Sequence, residues 1–277
     1  LDTTYYLRVV VTDKAGNSTT SNIVTQKTRG EGIEISELSE EIGKYVNYLP
    51  TAKFFTSQGQ YNGGADVTLS TDIKSKWRIL FVEDNKISLI SEKPVNAGFY
   101  LGDYNGYNNG VLLLNNACKE MYSNEALGGI ARSLNIDDIE SISNYDKTTY
   151  TYGKYKYGEE YEITDKTYPN IFADELTGAV NGVYGKSLGL SDQTEYVTGT
   201  STATTLKGKY THYKYKMDSS NVGEIYYSML VSGKYWLASR CTMFDEYLWY
   251  RVFFVDSGTV RADYGGASGP DYYYRYG

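Results

Sequence analysis

At 277 residues, 41% hydrophobic and 22% charged, the chain has the composition of a folded protein. It is long enough for one large domain, or for a domain with a smaller appendage. Its 34 acidic against 27 basic residues leave a formal charge of −7, which argues against nucleic acid as a partner. No apolar run is long enough to cross a bilayer, so no membrane insertion is expected within this segment. Leu1 is not a start methionine, and the sequence reads as an excerpt of a longer protein.

In chain order, Thr3 to Asp13 and Ser18 to Thr28 are β-branched, aromatic-rich runs separated by Lys14-Ala-Gly-Asn17, the pattern of a β-hairpin. The run TYYLRVVVTDKAGN, Thr4 to Asn17, resembles the last two strands of a bacterial immunoglobulin-like or fibronectin-type-III-like domain. Residues 1–28 are therefore expected to be the terminal hairpin of such a sandwich, and 29–36 a polar linker. Lys44 to Tyr48 reads as a strand, Gln58 to Asp66 as a Gly/Asn loop, and Trp77–Val82 with Lys86–Ile90 as a second hairpin. Gly110 to Tyr122 is predicted as a helix with Asn109 as N-cap, because Val111, Leu114, Cys118 and Met121/Tyr122 recur at helical spacing. Asn135 is predicted to cap a shorter helix with acids in its first turn. Tyr145 to Tyr168 alternates tyrosine with polar residues, as expected for a solvent-exposed hairpin arm, and Ser191 to Asp218 reads as a further loop or hairpin.

Signals for chemistry are sparse. Among 31 tyrosines there is 1 histidine, which makes triads and zinc motifs hard to assemble. His212 accordingly reads as a packed or surface residue. Cys118 and Cys241 lie far apart, and buried thiols, a disulfide and reactive groups are the three readings open to them. The carboxylate pairs Asp137/Asp138 and Glu159/Glu160 read as a helix start and a hairpin tip rather than a glycosidase pair. Asp245, Asp256, Asp263 and Asp271 are oxygen donors of the kind calcium takes, but without a calcium-loop spacing. No catalytic residue, metal ligand or cofactor is assigned.

The segments YWLASR (Tyr235 to Arg240), VDSG (Val255 to Gly258) and ARSLNIDDIE (Ala131 to Glu140) resemble C-type-lectin-like domains related to the formylglycine-generating-enzyme fold. The kind meant occurs in surface proteins of gut Firmicutes and as the variable proteins of diversity-generating retroelements. The resemblance spans Gly43 to Gly277. It implies an α+β fold over residues 37–277, with short mixed strands, two helices and long tyrosine-rich loops. It also implies a non-enzymatic domain on a cell surface, binding a protein or glycan on another cell or on phage. A fold does not carry activity with it, and enzymatic relatives use a late cysteine pair where this chain has Cys241 alone.

Adenine-directed mutagenesis of Asn codons cannot produce Trp, Met, Lys, Glu or Gln, and none of these occurs from Tyr250 to Gly277. The ligand-binding face is therefore expected at Phe244, Tyr247, Leu248, Tyr250, Phe254, Arg261, Asp263, Tyr264, Asp271, Tyr272, Tyr273, Tyr274 and Arg275. Tyr235 to Trp249 is read mainly as framework. Rigid tyrosines with arginine anchors suit such a surface. The alternatives are a structural adhesin or stalk domain, whose Tyr-rich arms serve packing, and an enzyme of the formylglycine-generating type.

Overall fold

The computed structural model describes residues 4–27, 35–51, 54–57, 67–70, 76–94, 99–100, 103–164, 168–169, 179–180, 183–184, 200–201, 205–244, 248–264 and 275–276, some of them by backbone alone. The architecture is mixed α+β, with few helices and several small sheets. Two compact units are present: Leu1–Lys44 with Ile79–Leu89, and Tyr45–Arg78 with Ile90–Gly277.

In the first unit, β1 (Thr4–Leu7) pairs antiparallel with β4 (Val24–Lys27), and β2 (Val10–Thr12) with β3 (Ser18–Thr20). The predicted turn is there: Asp13 Oδ1 accepts from Ala15 N and Asn17 N, each at 2.9 Å, and Gly16 takes φ +91°. This ladder buries neither face, and Tyr6 is 70% exposed. An apolar ladder so bare is marginal in water unless something covers it. The tip of the second predicted hairpin also belongs here, with Asp84 (φ +48°) and Asn85 (φ +57°) forming the two-residue turn that matches strand twist.

In the second unit, β5 (Tyr45–Val46) is shorter than the strand expected from Lys44 to Tyr48, and pairs with the start of β6 (Trp77–Glu83) by Val46↔Trp77. The hairpin partner of β6 is β7 (Lys86–Ser91). The Trp77 ring is clasped edge-on by Tyr48 at 5.1 Å and Tyr122 at 5.4 Å, and the Tyr48 hydroxyl donates to Tyr122 O at 2.6 Å. The main helix, α1 (Asp103–Tyr122), starts seven residues before the expected Gly110, so Asn109 is an interior residue and not a cap. Asn and Gly in its first two turns are weak helix formers, and the surrounding fold overrides that local preference. Its Val111, Leu113, Leu114, Ala117 and Met121 are buried.

The short helix α2 (Ile136–Ser141) is capped as expected. Asn135 Oδ1 accepts from Asp138 N, and Asp138 Oδ2 accepts from Asn135 N, both at 2.9 Å. Arg132 then grips both Asp138 oxygens at 2.6 Å, a charge-assisted fork.

The tyrosine arm is not the free hairpin predicted. Only β8 (Thr151–Tyr152) and β9 (Tyr155–Lys156) form a local hairpin. β10 (Glu160–Thr164) instead pairs with the distant β11 (Thr205–Lys209), from Glu160↔Lys209 to Thr164↔Thr205. The Ser191 to Asp218 stretch is thus tied into a long-range ladder. After β12 (Tyr215–Lys216) come α3 (Ser219–Val222), α4 (Glu224–Leu230), and the long strands β13 (Lys234–Phe244), β14 (Leu248–Asp256) and β15 (Thr259–Tyr264). These form an antiparallel sheet in the order β12–β15–β14–β13, and α1 packs on β13 and β14.

Candidate ligand-binding face

The central sheet carries seven of the expected binding residues: Phe244, Leu248, Tyr250, Phe254, Arg261, Asp263 and Tyr264. Arg251, Val252, Phe253, Phe254 and Val255 are all buried, so β14 is covered on both faces. A strand buried on both sides reads as a continuous apolar run rather than an alternation. The outer edge of β13 is also engaged. Ala238 N donates to Leu134 O at 2.7 Å, while Thr211 N and His212 N both donate to Thr242 O, at 3.0 and 3.1 Å.

Two motifs distant in sequence meet at that edge. Besides the Ala238–Leu134 bond, Ser239 Oγ accepts from Ile136 N at 2.9 Å, satisfying a helix-start N–H that α2 cannot pair internally. YWLASR and ARSLNIDDIE are therefore neighbours in space. The third motif, VDSG, is a turn: Ser257 (φ +50°) and Gly258 (φ +78°) join β14 to β15, with Asp256↔Thr259 closing the hairpin. A Cβ on Gly258 would lie 3.1 Å from Val231 Cγ1, so the close approach as well as the backbone angle calls for glycine.

Against this frame, Phe254 is corrected. It is 0% exposed, in line with Trp236 (ring centroids 5.7 Å apart) and under the Arg261 guanidinium at 4.9 Å. Phe254 is core and presents no ring to solvent. Arg261 stands directly across from Phe254 in register, is 37% exposed at its side chain, and pairs with Asp256, which Lys234 also approaches at 3.3 Å. Asp256 is thereby engaged by two cations. The register imposed by the Ser257–Gly258 turn puts Asp256 and Arg261 on one face, a signal present in the sequence but not read from it.

Backbone placement is available for Phe244, which pairs with Leu248, and for Tyr250, which pairs with Thr242. It is likewise available for Asp263 (with Val252), Tyr264 (with Arg251) and Arg275 (with Tyr100). Tyr247, Asp271, Tyr272, Tyr273 and Tyr274 lie outside the described residues, as do Asp245 and the Gln58 to Asp66 loop. The structure thus brings Phe244, Leu248, Tyr250, Arg261, Asp263 and Tyr264 onto adjoining strands of one sheet.

No protein-family model, no curated protein and no solved structure matches the chain.

The opposite face of β14 holds an aromatic layer drawn from the Tyr145 arm, expected to be solvent-exposed, and from the stretch around Tyr213, read as a loop or hairpin. Tyr213 packs on Phe253 at 5.1 Å, and Tyr145 stacks on Tyr215 at 4.3 Å with an 11° interplanar angle. Tyr150 and Tyr210 meet the His212 ring edge-on, at 5.5 and 6.0 Å. Burial, reinforced by the positive Arg251 and Lys214, pushes His212 down to about 3 and keeps the ring neutral. Its Nδ1 lies 3.2 Å from the Tyr210 hydroxyl. Burial likewise raises the Tyr210 and Tyr213 phenols far above their ordinary range, so both are neutral at physiological pH.

Neither sequence-level carboxylate pair forms a two-carboxylate centre. Asp138 caps α2 and holds Arg132, while Glu159 Oε2 accepts from Lys156 N at 2.9 Å. Both cysteines are free thiols: Cys241 is buried, and burial pushes Cys118 up to about 12. Among the described residues, no group of three or more His, Cys, Asp or Glu is placed to hold a metal ion. No helix there is long and apolar enough to cross a membrane.

Proposed function

We propose that this chain is a non-enzymatic ligand-binding domain of C-type-lectin-like fold, displaying a diversified, tyrosine-rich face on a bacterial or phage surface protein. The observation that carries the reading is the anchoring of Arg261. Its guanidinium is held by Asp256 and seated over Phe254 while its side chain remains 37% exposed. A donor fork fixed in this way loses little freedom on binding, which is what a rigid paratope needs. The fully paired β14 and β15 strands give the restricted-alphabet segment from Tyr250 onward a stiff base. The meeting of Leu134 and Ile136 with Ala238 and Ser239 supports the fold resemblance, because the motifs that carry it belong to one packed junction.

The test is a binding survey of the native chain on a glycan array and on intact bacterial cells. It is repeated with Arg261→Ala and with Tyr272, Tyr273 and Tyr274 all replaced by alanine. Loss of roughly tenfold or more in affinity is expected for each. Unchanged binding by both would show that the face has been assigned to the wrong surface. Diversification is tested separately in the flanking DNA, where a reverse-transcriptase gene and a near-copy of the terminal segment are expected.

A further inference from the structure

The arm on the Phe253 side of the sheet has a charge opposite to that of the chain. Residues 145–160 and 209–216 contain six lysines against three carboxylates and no arginine, in a protein of net charge −7. Lys154, Lys156 and Lys214 are exposed, and among the described residues no carboxylate pairs with them. Two of the three local carboxylates bond to the backbone while staying exposed: Asp146 Oδ1 accepts from Thr148 N, and Glu159 Oε2 from Lys156 N, each at 2.9 Å.

The hairpin that carries Lys154 and Lys156 also carries an exposed ring. Tyr152 meets His212 edge-on at 6.4 Å yet stays 46% exposed, and Lys154 lies 5.2 Å over the neighbouring Tyr155 ring. Lys214 is close enough to act on the charge of His212. The arm is rigid, because Tyr155 stacks on buried Tyr210, Gly158 N donates to Tyr210 O at 2.7 Å, and Tyr210 N donates to Glu159 O at 2.9 Å.

We infer that this arm is a second interaction surface, for an acidic polysaccharide. Charge complementarity selects an anionic partner. An exposed tyrosine on a lysine-bearing hairpin offers an apolar face for a sugar ring, with point charges nearby for its carboxylate or sulfate groups. The surface is distinct from the face built on Arg261.

The experiment is affinity electrophoresis of the full chain through gels containing alginate, a polyuronate, with neutral dextran and a single-stranded DNA oligonucleotide as separate arms. Retardation by alginate at low ionic strength, fading as salt rises, and none by dextran is the expected result. The double variant K154S/K156S weakens binding about tenfold. Tyr152→Ser, which leaves the charge unchanged, weakens it about fivefold. Both positions are exposed, and circular dichroism checks that each variant keeps the native fold. Replacing Tyr272 to Tyr274 with alanine leaves alginate binding intact, so failure here and failure of the Arg261 face are told apart. Absence of retardation, an unaffected Tyr152→Ser variant, or tighter binding of the oligonucleotide than of alginate overturns the proposal.

Discussion

The Tyr213 hydroxyl donates a 2.6 Å hydrogen bond to Glu140 Oε1, joining residues 73 apart in the chain. Lys147 Nζ grips the same carboxylate at 2.9 and 3.0 Å and lies over the Tyr157 ring. Helix α2, the arm and the central sheet thus share one polar knot, made below the aromatic layer. Tyr213→Phe keeps the ring against Phe253 and removes only the donor. A loss of about 1–2 kcal/mol is expected, because Glu140 stays paired with Lys147. Urea unfolding monitored by circular dichroism measures it.

His212 makes the fold acid-sensitive. Its folded-state pKa lies near 3 against an ordinary 6.5, so below pH 6.5 the unfolded chain takes up a proton that the native chain refuses. Stability falls from about pH 6.5 toward pH 3, with this one group contributing a slope of up to about 1.4 kcal/mol per pH unit. The carboxylates titrate in the lower part of the same window. Comparing stability-versus-pH curves of the native protein and His212→Gln isolates the histidine, and the variant is expected to give the shallower curve between pH 6 and 4.

Gly258→Ala tests the VDSG turn. The substitution puts a Cβ 3.1 Å from Val231 Cγ1 at a backbone angle of φ +78°. A destabilisation of about 1–3 kcal/mol is expected. Ser257, at φ +50°, pays a similar but smaller conformational cost already, so Ser257→Gly is expected to be neutral or mildly stabilising. Thermal unfolding midpoints rank the two variants.

The thiols give a fourth measurement. Cys241 is 0% exposed and out of a reagent's reach, and burial holds the Cys118 thiol at about 12, so Cys118 forms little thiolate at neutral pH. Iodoacetamide at pH 7.5 is expected to leave the native chain unmodified over an hour and to add two carbamidomethyl groups after denaturation. Mass spectrometry reads both. Rapid labelling of Cys241 in the native chain would contradict its burial.

Local signals survived the passage from sequence to structure, and long-range ones did not. The Asn135 cap was legible because its partner is three residues away, as was the turn at Asp84–Asn85. The early start of α1 was hidden by Asn and Gly in its first two turns. The pairing of Glu160–Thr164 with Thr205–Lys209 left no trace, since nothing in either run names so distant a partner. Phe254 was misassigned for a related reason. The buried run from Arg251 to Val255 gives no alternation to say which ring faces out. Of the expected binding residues, the pairing of Asp256 with Arg261 was implicit in a two-residue turn that fixes which side chains share a face.

The bonds from Leu134, Thr211 and His212 to strand β13 have a consequence beyond local packing. With its hydrogen-bonding groups engaged there, that margin offers no template to a strand from another molecule. A strand arriving along this edge would meet occupied groups at Ala238 and Thr242.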